Sequence, residues 1–348
     1  MIQALVPIMY NWGGAARGVS TGISGNSGEQ RMSSTGSGAK MHDTASSLVV
    51  VGSIAIDTVS TPSAHARQGL GGSATYFSAA AGLLCRPQVI AVLGEDFDRS
   101  QLDFLVERGV DISSVYTRHG KTFHWEGSYG QELAEATTLC TDLNVFADFE
   151  PNLSEAQKNC DFLFSANILP QLQLKVVEQA KARFVVADTM NLWINTEYEA
   201  LRKVLAKIDM LVLNETEAQL LSKQQNIIDA AETIHTFGPR IVVIKRGAYG
   251  AFMMNEGKIF TCPAYPTRNI VDPTGCGDTF AGGLLGTLAR HGKVTDATLR
   301  EGMIAGTALA SFTIEGYSLD GLKQATVEKL RERYARLEEI SSFGHLDI

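Results

Sequence analysis

The sequence predicts an α/β fold in three layers: a mostly parallel sheet covered by helices on both faces, with a small accessory β-sheet. Two observations predict it. Short apolar runs alternate with helical sequence, the pattern of strands buried on both faces. Two segments, one polar and one rich in Thr and aromatic residues, interrupt that alternation and read as strands of a separate sheet.

Residues 1–46 are rich in Gly and Ser and show no periodicity. Such a stretch buries too little apolar surface to offset chain entropy. It is expected to be a disordered extension, or an upstream extension ahead of a start at Met32 or Met41; the Arg-rich amphipathic pattern of a transit peptide is missing. Leu48 to Ile56 reads as a buried strand, and the polar Thr58 to Gln68 follows it directly. Ser73 to Arg86 reads as an Ala-rich helix opened by Gly71-Gly72, Gln88 to Leu93 as a strand, and Asp98 to Arg108 as a helix. Ser114 to Phe149 carries Thr, Tyr, Phe and Trp with turn signals at His119-Gly120 and Ser128-Tyr129-Gly130. With residues 58–70 it is expected to form the small accessory sheet from short antiparallel strands. Further strands are predicted at Phe162 to Ser165, Phe184 to Asp188, Met210 to Asn214 and Arg240 to Lys245, and helices at Thr295 to Phe312 and Leu322 to Leu337. A single folded domain is thus expected over 47–340.

Composition narrows the function. A hydrophobic fraction of 45% with 20% charged residues is that of a globular protein with a sizeable core. The net charge of -8 offers no basic footprint for nucleic acid. No apolar run reaches the length of a membrane span. The cysteines Cys85, Cys140, Cys160, Cys262 and Cys276 are odd in number and lack CxxC spacing. Neither a disulfide framework nor a structural zinc site is expected, and reduced thiols in the cytoplasm are the simpler reading. His119 and His124 are too weak a pair to define a metal site. GxxxxGK[ST], HExxH and GxSxG are absent, and no GxGxxG follows the first strand.

The chemistry concentrates in Val271-Asp272-Pro273-Thr274-Gly275-Cys276-Gly277-Asp278-Thr279-Phe280-Ala281-Gly282-Gly283. An Ala- and Leu-rich helix begins here, so the amides of Gly275, Cys276 and Gly277 gather at a helix N-terminus as an anion hole. Asp278 in the first turn is placed to accept a proton from an attacking hydroxyl. Read alone, Asp278 serves equally as a helix cap and the glycines as a turn.

That string closely resembles the C-terminal signature of the ribokinase-like, or PfkB, carbohydrate kinase family, and the chain from about Leu48 to Leu337 is consistent with it. The resemblance implies a ribokinase-like, Rossmann-like fold in which the small accessory sheet is a lid. It also implies an ATP- and Mg²⁺-dependent kinase acting on a hydroxyl of a sugar-like molecule, with Asp278 as base. Gly52-Ser53-Ile54-Ala55-Ile56-Asp57 resembles the family's first strand, ending in an Asp that binds substrate hydroxyls; a turn Asp is the plain alternative. Gly71 and Gly72 resemble the substrate-side glycine pair. Many sugar kinases carry an Asn four residues after the second Gly, where this chain has Tyr76; the substrate-facing amide is missing or replaced by one hydroxyl. Asn214 and Glu217 resemble the NxxE motif that organises Mg²⁺ through water, although the same spacing makes a capping box. Lys245, Arg246, Gly247 and Gly250 resemble the nucleotide-contacting turn, with a solvated strand-end pair as the alternative. Asp272 and Thr274 resemble a monovalent-cation site, which would take K⁺.

Phe123, Trp125 and Tyr129 in the lid read as packing within the small sheet or as a homodimer contact, with stacking on a sugar or base as the functional alternative. The rival readings are a nucleoside kinase of the same family and a non-catalytic ligand sensor on the same fold. The intact Asp278 string argues against the sensor.

Overall fold

In the computed structural model, described over residues 46–344 and 346 except 63, 132, 134 and 135, the strands follow in chain order. They are β1 (Leu48–Val51), β2 (Ala55–Thr61), β3 (Ala64–Gly71), β4 (Pro87–Gly94), β5 (Asp111–Arg118), β6 (His124–Tyr129) and β7 (Ala136–Asp142). Then come β8 (Phe162–Ser165), β9 (Phe184–Asp188), β10 (Met210–Asn214), β11 (Ile241–Lys245), β12 (Ala251–Asn255) and β13 (Lys258–Cys262). The extension expected to be disordered lies, up to residue 45, outside the described residues.

A large sheet has the order β13-β12-β11-β10-β9-β8-β1-β4-β5. It is parallel from β5 to β11, while β12 and β13 return antiparallel. Alternate residues of each strand enter opposite core layers. Leu48 and Val50 pack with Phe77, Phe280 and Leu284, whereas Val49 and Val51 pack with Ile90, Leu163 and Leu201. These are the three layers that the apolar runs predict.

On the first face the helices Ser73–Ala81, Cys276–His291 and Asp296–Ile314 approach at backbone distance. A Cβ on Gly282 would lie 2.3 Å from Phe77 O, and one on Gly283 2.6 Å from Gly306 Cα. The small residues after Asp278 therefore fix the depth at which its helix enters the sheet.

The run Leu48 to Ile56 is not one strand. The Gly52 amide still donates to Ile90 O (3.3 Å), but Ser53 and Ser73 then exchange bonds between backbone N–H and side-chain Oγ, at 3.2 and 3.1 Å. This local exchange replaces the ladder, and the chain leaves for the lid. Asp57 accordingly stands on lid strand β2, not at the end of the central strand as expected.

The lid sheet has the order β3-β2-β6-β7. Its β2–β6 pair is parallel, so the lid is mixed rather than wholly antiparallel. Its expected second segment also begins too early, because Asp111–Arg118 pairs with β4 as the edge of the large sheet. Two predicted helices are shorter. The first stops at Ala81, where Gly82 begins a turn, and the last divides into Asp320–Lys323 and Val327–Ser341. The β12–β13 hairpin was not anticipated.

Strand order reverses between β1 and β8, and the crevice at their carboxyl ends is where open α/β sheets bind ligands. Ser53, just after β1, and Asn167, just after β8, line it.

Candidate active site

The crevice holds a cavity of about 240 Å³. The N-terminus of the helix Cys276–His291 forms part of its wall. Gly275 caps that helix at φ 75°, ψ 1°, a left-handed conformation that favours glycine. A Cβ there would lie 2.4 Å from the Tyr76 ring. Tyr76 thus backs the loop that leads into this helix, and its hydroxyl hydrogen bonds with Ser318. The Cys276 amide already donates to Pro273 O (3.2 Å) in the turn that opens the helix.

Asp278 faces the cavity from the first helical turn. Burial pushes its carboxyl up to about 7, the nearby Asp188 charge adds to this, and Lys245 and its own backbone N–H oppose it. Some of its surface stays accessible because it opens onto the cavity, although protein surrounds it.

Asp57 enters from the lid, opposite Gly69 of β3 and Trp125 of β6. A Cβ on Gly71 would lie 1.8 Å from Asp57 Oδ2, so the glycine makes room for the carboxylate. Burial raises Asp57 to about 7. The Gly72 N–H donates to it and opposes the rise, while Asp278 and Asp272 reinforce it. Two carboxylates poised near neutrality in one cleft are a common mark of a functional site.

Around this centre the loop is braced. Asp272 Oδ1 accepts from the Thr274 amide (2.9 Å) and Oδ2 from the Ser318 amide (3.1 Å). Thr274 Oγ1 donates to the Tyr129 hydroxyl (3.2 Å), which ties the small sheet to the loop before the helix Cys276–His291. Asp272 and Thr274 are therefore engaged within the protein at the place where a cation was expected.

Beside the helix N-terminus, strands β9, β10 and β11 end at Asp188, Asn214 and Lys245. Lys245 Nζ lies 3.0 Å from Asp188 Oδ2 in a buried ion pair. Burial works against the ammonium, but Asp188, Glu217 and Asp278 together hold it above its ordinary range. Asn214 and Glu217 close a reciprocal capping box, with both bonds at 2.7 Å. Arg246 pairs with Glu215 at 3.1 Å. Gly247 opens a 3-10 turn ending at Tyr249, and Gly250 lies against the backbone of Cys262.

Much of the cavity wall is apolar. Phe123, Phe146, Ile168, Met190, Leu192 and Trp193 line it, with Trp125 from the lid. Phe123 also packs on Phe146 at 5.8 Å between ring centres. Both lid aromatics line the cavity and also pack within the protein, as expected: the Trp125 ring lies over Gly127 and its Nε1 donates to Thr138 Oγ1 (3.3 Å). Trp193 Nε1 donates to Asn167 Oδ1 (3.0 Å), which fixes the indole at the wall.

Asp188, Asn167, Met190 and Trp193 were not picked out in the sequence. Asp188 could have been, as a carboxylate ending a predicted parallel strand. Trp193 gives no local signal, because only folding brings the helix Asn191–Thr196 to the cavity.

Residues 45–323 match the pfkB family carbohydrate kinases. The chain belongs to that family. It is 30% identical over 264 residues to a cytidine kinase of Thermococcus kodakarensis, covering 74% of this chain and 93% of the relative. The fold resembles a Burkholderia thailandensis nucleoside kinase in complex with inosine, at TM-score 0.69 and 20% identity, over 83% of this chain and 98% of that one. It equally resembles a Vibrio cholerae fructokinase with fructose, ADP and calcium ion, at TM-score 0.69 and 20% identity, over 84% and 100% of the two chains.

This pfkB-family chain is a phosphotransferase with an alcohol group as acceptor, and the family implies ATP and a divalent metal. The strand-end cluster fits that pair. Asp188, Glu217 and Asp278 outnumber Lys245, so a polyphosphate suits the site when a divalent cation accompanies it. Among the described residues no helix is long and apolar enough to cross a membrane.

Proposed function

We propose that this chain phosphorylates a ribosyl hydroxyl of a nucleoside, with Asp278 as the base. The observation that carries this reading is the mixed lining of the cavity, in which Asp57 and Asp278 share one space with Phe123, Phe146, Met190, Leu192 and Trp193. A free sugar has hydroxyls all round and would leave some unpaired against the apolar side chains. A nucleoside pairs a polyhydroxyl ring with a flat, largely apolar-faced base.

In the proposed step Asp57 accepts hydrogen bonds from ribose hydroxyls and sets the ring in place. The attacking oxygen forms its bond to the γ-phosphorus of ATP as the bond to ADP breaks, and its proton passes to Asp278. The amides of Gly275 and Gly277 face the developing phosphoryl charge. Cys276, whose amide is taken by Pro273 O, contributes backbone shape. Lys245, held charged, orients Asp278 and balances the negative cluster. Gly247 and Gly250 shape the turn proposed to lie against the nucleotide. Glu217 and Asn214 would hold Mg²⁺ through water, and the ion would neutralise phosphate charge. Tyr76 supports the loop from below. A K⁺ beside Asp272 and Thr274 is a further proposal, tested by exchanging KCl for NaCl at constant ionic strength.

The test is ADP release against a panel of nucleosides and free sugars, with wild-type protein and Trp193→Ala. Nucleosides should be the faster substrates, and Trp193→Ala should raise their KM by about tenfold or more, in line with the roughly 1–3 kcal/mol of base–aromatic stacking. Ribose or fructose turning over faster than any nucleoside, with KM untouched by the variant, would return the site to a sugar. Binding without any ADP release would favour a sensor.

A further inference from the structure

The lid sheet has a second face. Asp57, Trp125 and Thr141 line the cavity, so strand alternation places Thr58, His124, Glu126, Cys140 and Asp142 together on the outer side. The register sets His124 opposite Asp142 and Glu126 opposite Cys140. One ligand atom from each of His124, Cys140 and Asp142 lies within 4.8 Å of the other two. His124 Nδ1 is 3.6 Å from Asp142 Oδ2. Donors around a tetrahedral zinc ion, with bonds of about 2.0–2.3 Å, stand roughly 3.3–3.8 Å apart.

The imidazole is already oriented. His124 Nε2 lies 3.0 Å from Thr58 Oγ1. The tautomer with Nε2–H donating to that hydroxyl leaves the Nδ1 lone pair facing the Asp142 carboxylate. A cation placed between them would be met by that lone pair, by the carboxylate and by the Cys140 sulfur, whose thiol otherwise hydrogen bonds to Asp142. An outer partner on the second ring nitrogen is also how metal-binding histidines are usually held.

We propose that His124, Cys140 and Asp142 form a site for a zinc-class divalent ion on the outer face of the lid, with the fourth position left to water or Glu126. Thiolate, imidazole and carboxylate are the donor types that zinc takes. Without metal, burial, the hydrogen bond to Asp142 and the charges of Asp142 and Glu126 push the Cys140 thiol up. On binding, its proton leaves to solvent and the cation takes its place. The ion ties β6 to β7 directly behind Trp125, so its occupancy stiffens the strand that carries a wall of the cavity. Sequence spacing hides this site, because His124 reaches the other two ligands only through strand pairing.

Reduced, metal-stripped full-length protein is titrated with Co²⁺, and then with Zn²⁺ against a chromophoric chelator. The expected result is one Co²⁺ per chain with a thiolate-to-cobalt charge-transfer band and tetrahedral d–d absorption, both displaced by Zn²⁺. Cys140→Ser should remove the charge-transfer band. His124→Gln and Asp142→Asn should each weaken Zn²⁺ by at least about tenfold, and Thr58→Val by about tenfold through the orienting bond. Thermal melting identifies any variant that fails to fold, and the remaining ligand variants then decide. The proposal is overturned if wild-type protein shows no thiolate–cobalt band, or if the band survives Cys140→Ser and so belongs to another cysteine. It is also overturned if Zn²⁺ affinity is unchanged in both folded His124→Gln and Asp142→Asn, which would leave a His–Asp ion pair only.

Discussion

Lys245 Nζ sits 3.0 Å from Asp188 Oδ2, and a methyl group placed on Gly277 would come within 2.9 Å of the same ammonium. The ion pair therefore lies directly against the first turn of the helix that presents Asp278. It couples the ends of β9 and β11 to the N-terminus of that helix. Its carboxylate raises Asp278 while its ammonium lowers it.

Asp188→Asn separates these effects. Removing one partner of a buried ion pair typically costs about 3–5 kcal/mol when the other charge is left alone. Lys245 keeps Glu217 and Asp278 nearby, so denaturant unfolding should show a smaller loss than that. The Asp278 carboxyl should also titrate lower, because the second cause of its elevation is gone while Lys245 remains. The acid limb of the pH–rate profile should move toward lower pH even as the protein becomes less stable. An unmoved limb would mean that Asp188 does not act on the ionisation governing the rate.

Gly71→Ala tests the position of Asp57. The new Cβ would lie 1.8 Å from Asp57 Oδ2, so the carboxylate must swing away. Hydrogen bonds to charged groups are worth about 1.5–3 kcal/mol, so the acceptor KM should rise by roughly tenfold or more. ATP is proposed to bind at the strand ends beyond Asp188, and its KM should change little. Parallel rises in both constants would assign the glycine to general folding rather than to the acceptor site.

Much of this architecture was legible in the sequence because it rests on local patterns. The strands Phe162–Ser165, Phe184–Asp188 and Met210–Asn214 coincide with their apolar runs, since a strand buried on both faces needs nothing else to define it. The Gly275–Asp278 string announced a helix N-terminus, and one is there. What escaped depends on contacts distant in sequence. Leu48 to Ile56 is apolar throughout, and only the Ser53–Ser73 exchange divides it between two sheets. Asp188 and Trp193 join the site by strand order and helix placement. Asn214 and Glu217 remained two-valued, because a capping box and an NxxE motif share one spacing.

The pH dependence of the rate follows from the two elevated carboxyls. A base must be deprotonated to act, and Asp278 is raised to about 7. The rate should therefore climb through neutrality, level off above it, and fall by about tenfold for each pH unit below. Asp57 is raised to a similar value and feels the Asp278 charge, so the limb reports the pair rather than one residue. Measuring kcat/KM between pH 5 and 9 checks this. A flat profile across that range would exclude a carboxylate base titrating near neutrality.

Asp278→Asn joins mechanism to stability, and the two should move in opposite directions. The amide keeps the size and a hydrogen-bonding oxygen but cannot take the proton, so kcat should fall by about 10²–10⁴. ATP affinity should hold, because the backbone amides remain. Stability follows from the sign of the shift. A carboxyl raised from 3.8 to about 7 on folding favours the folded state below its unfolded value, and that contribution is lost as pH rises through about 7. At pH 8 the ionised Asp278 therefore costs stability. Replacing it with neutral Asn should raise the unfolding free energy by an amount on the order of a few kcal/mol, shrinking toward zero near pH 4. A helix cap without catalytic duty behaves otherwise, since Asn caps about as well as Asp and both rate and stability would survive. Purified, folded Asp278→Asn protein is assayed for phosphoryl transfer and for denaturant unfolding at both pH values. Near wild-type turnover would remove Asp278 as the base, whatever the unfolding curves show.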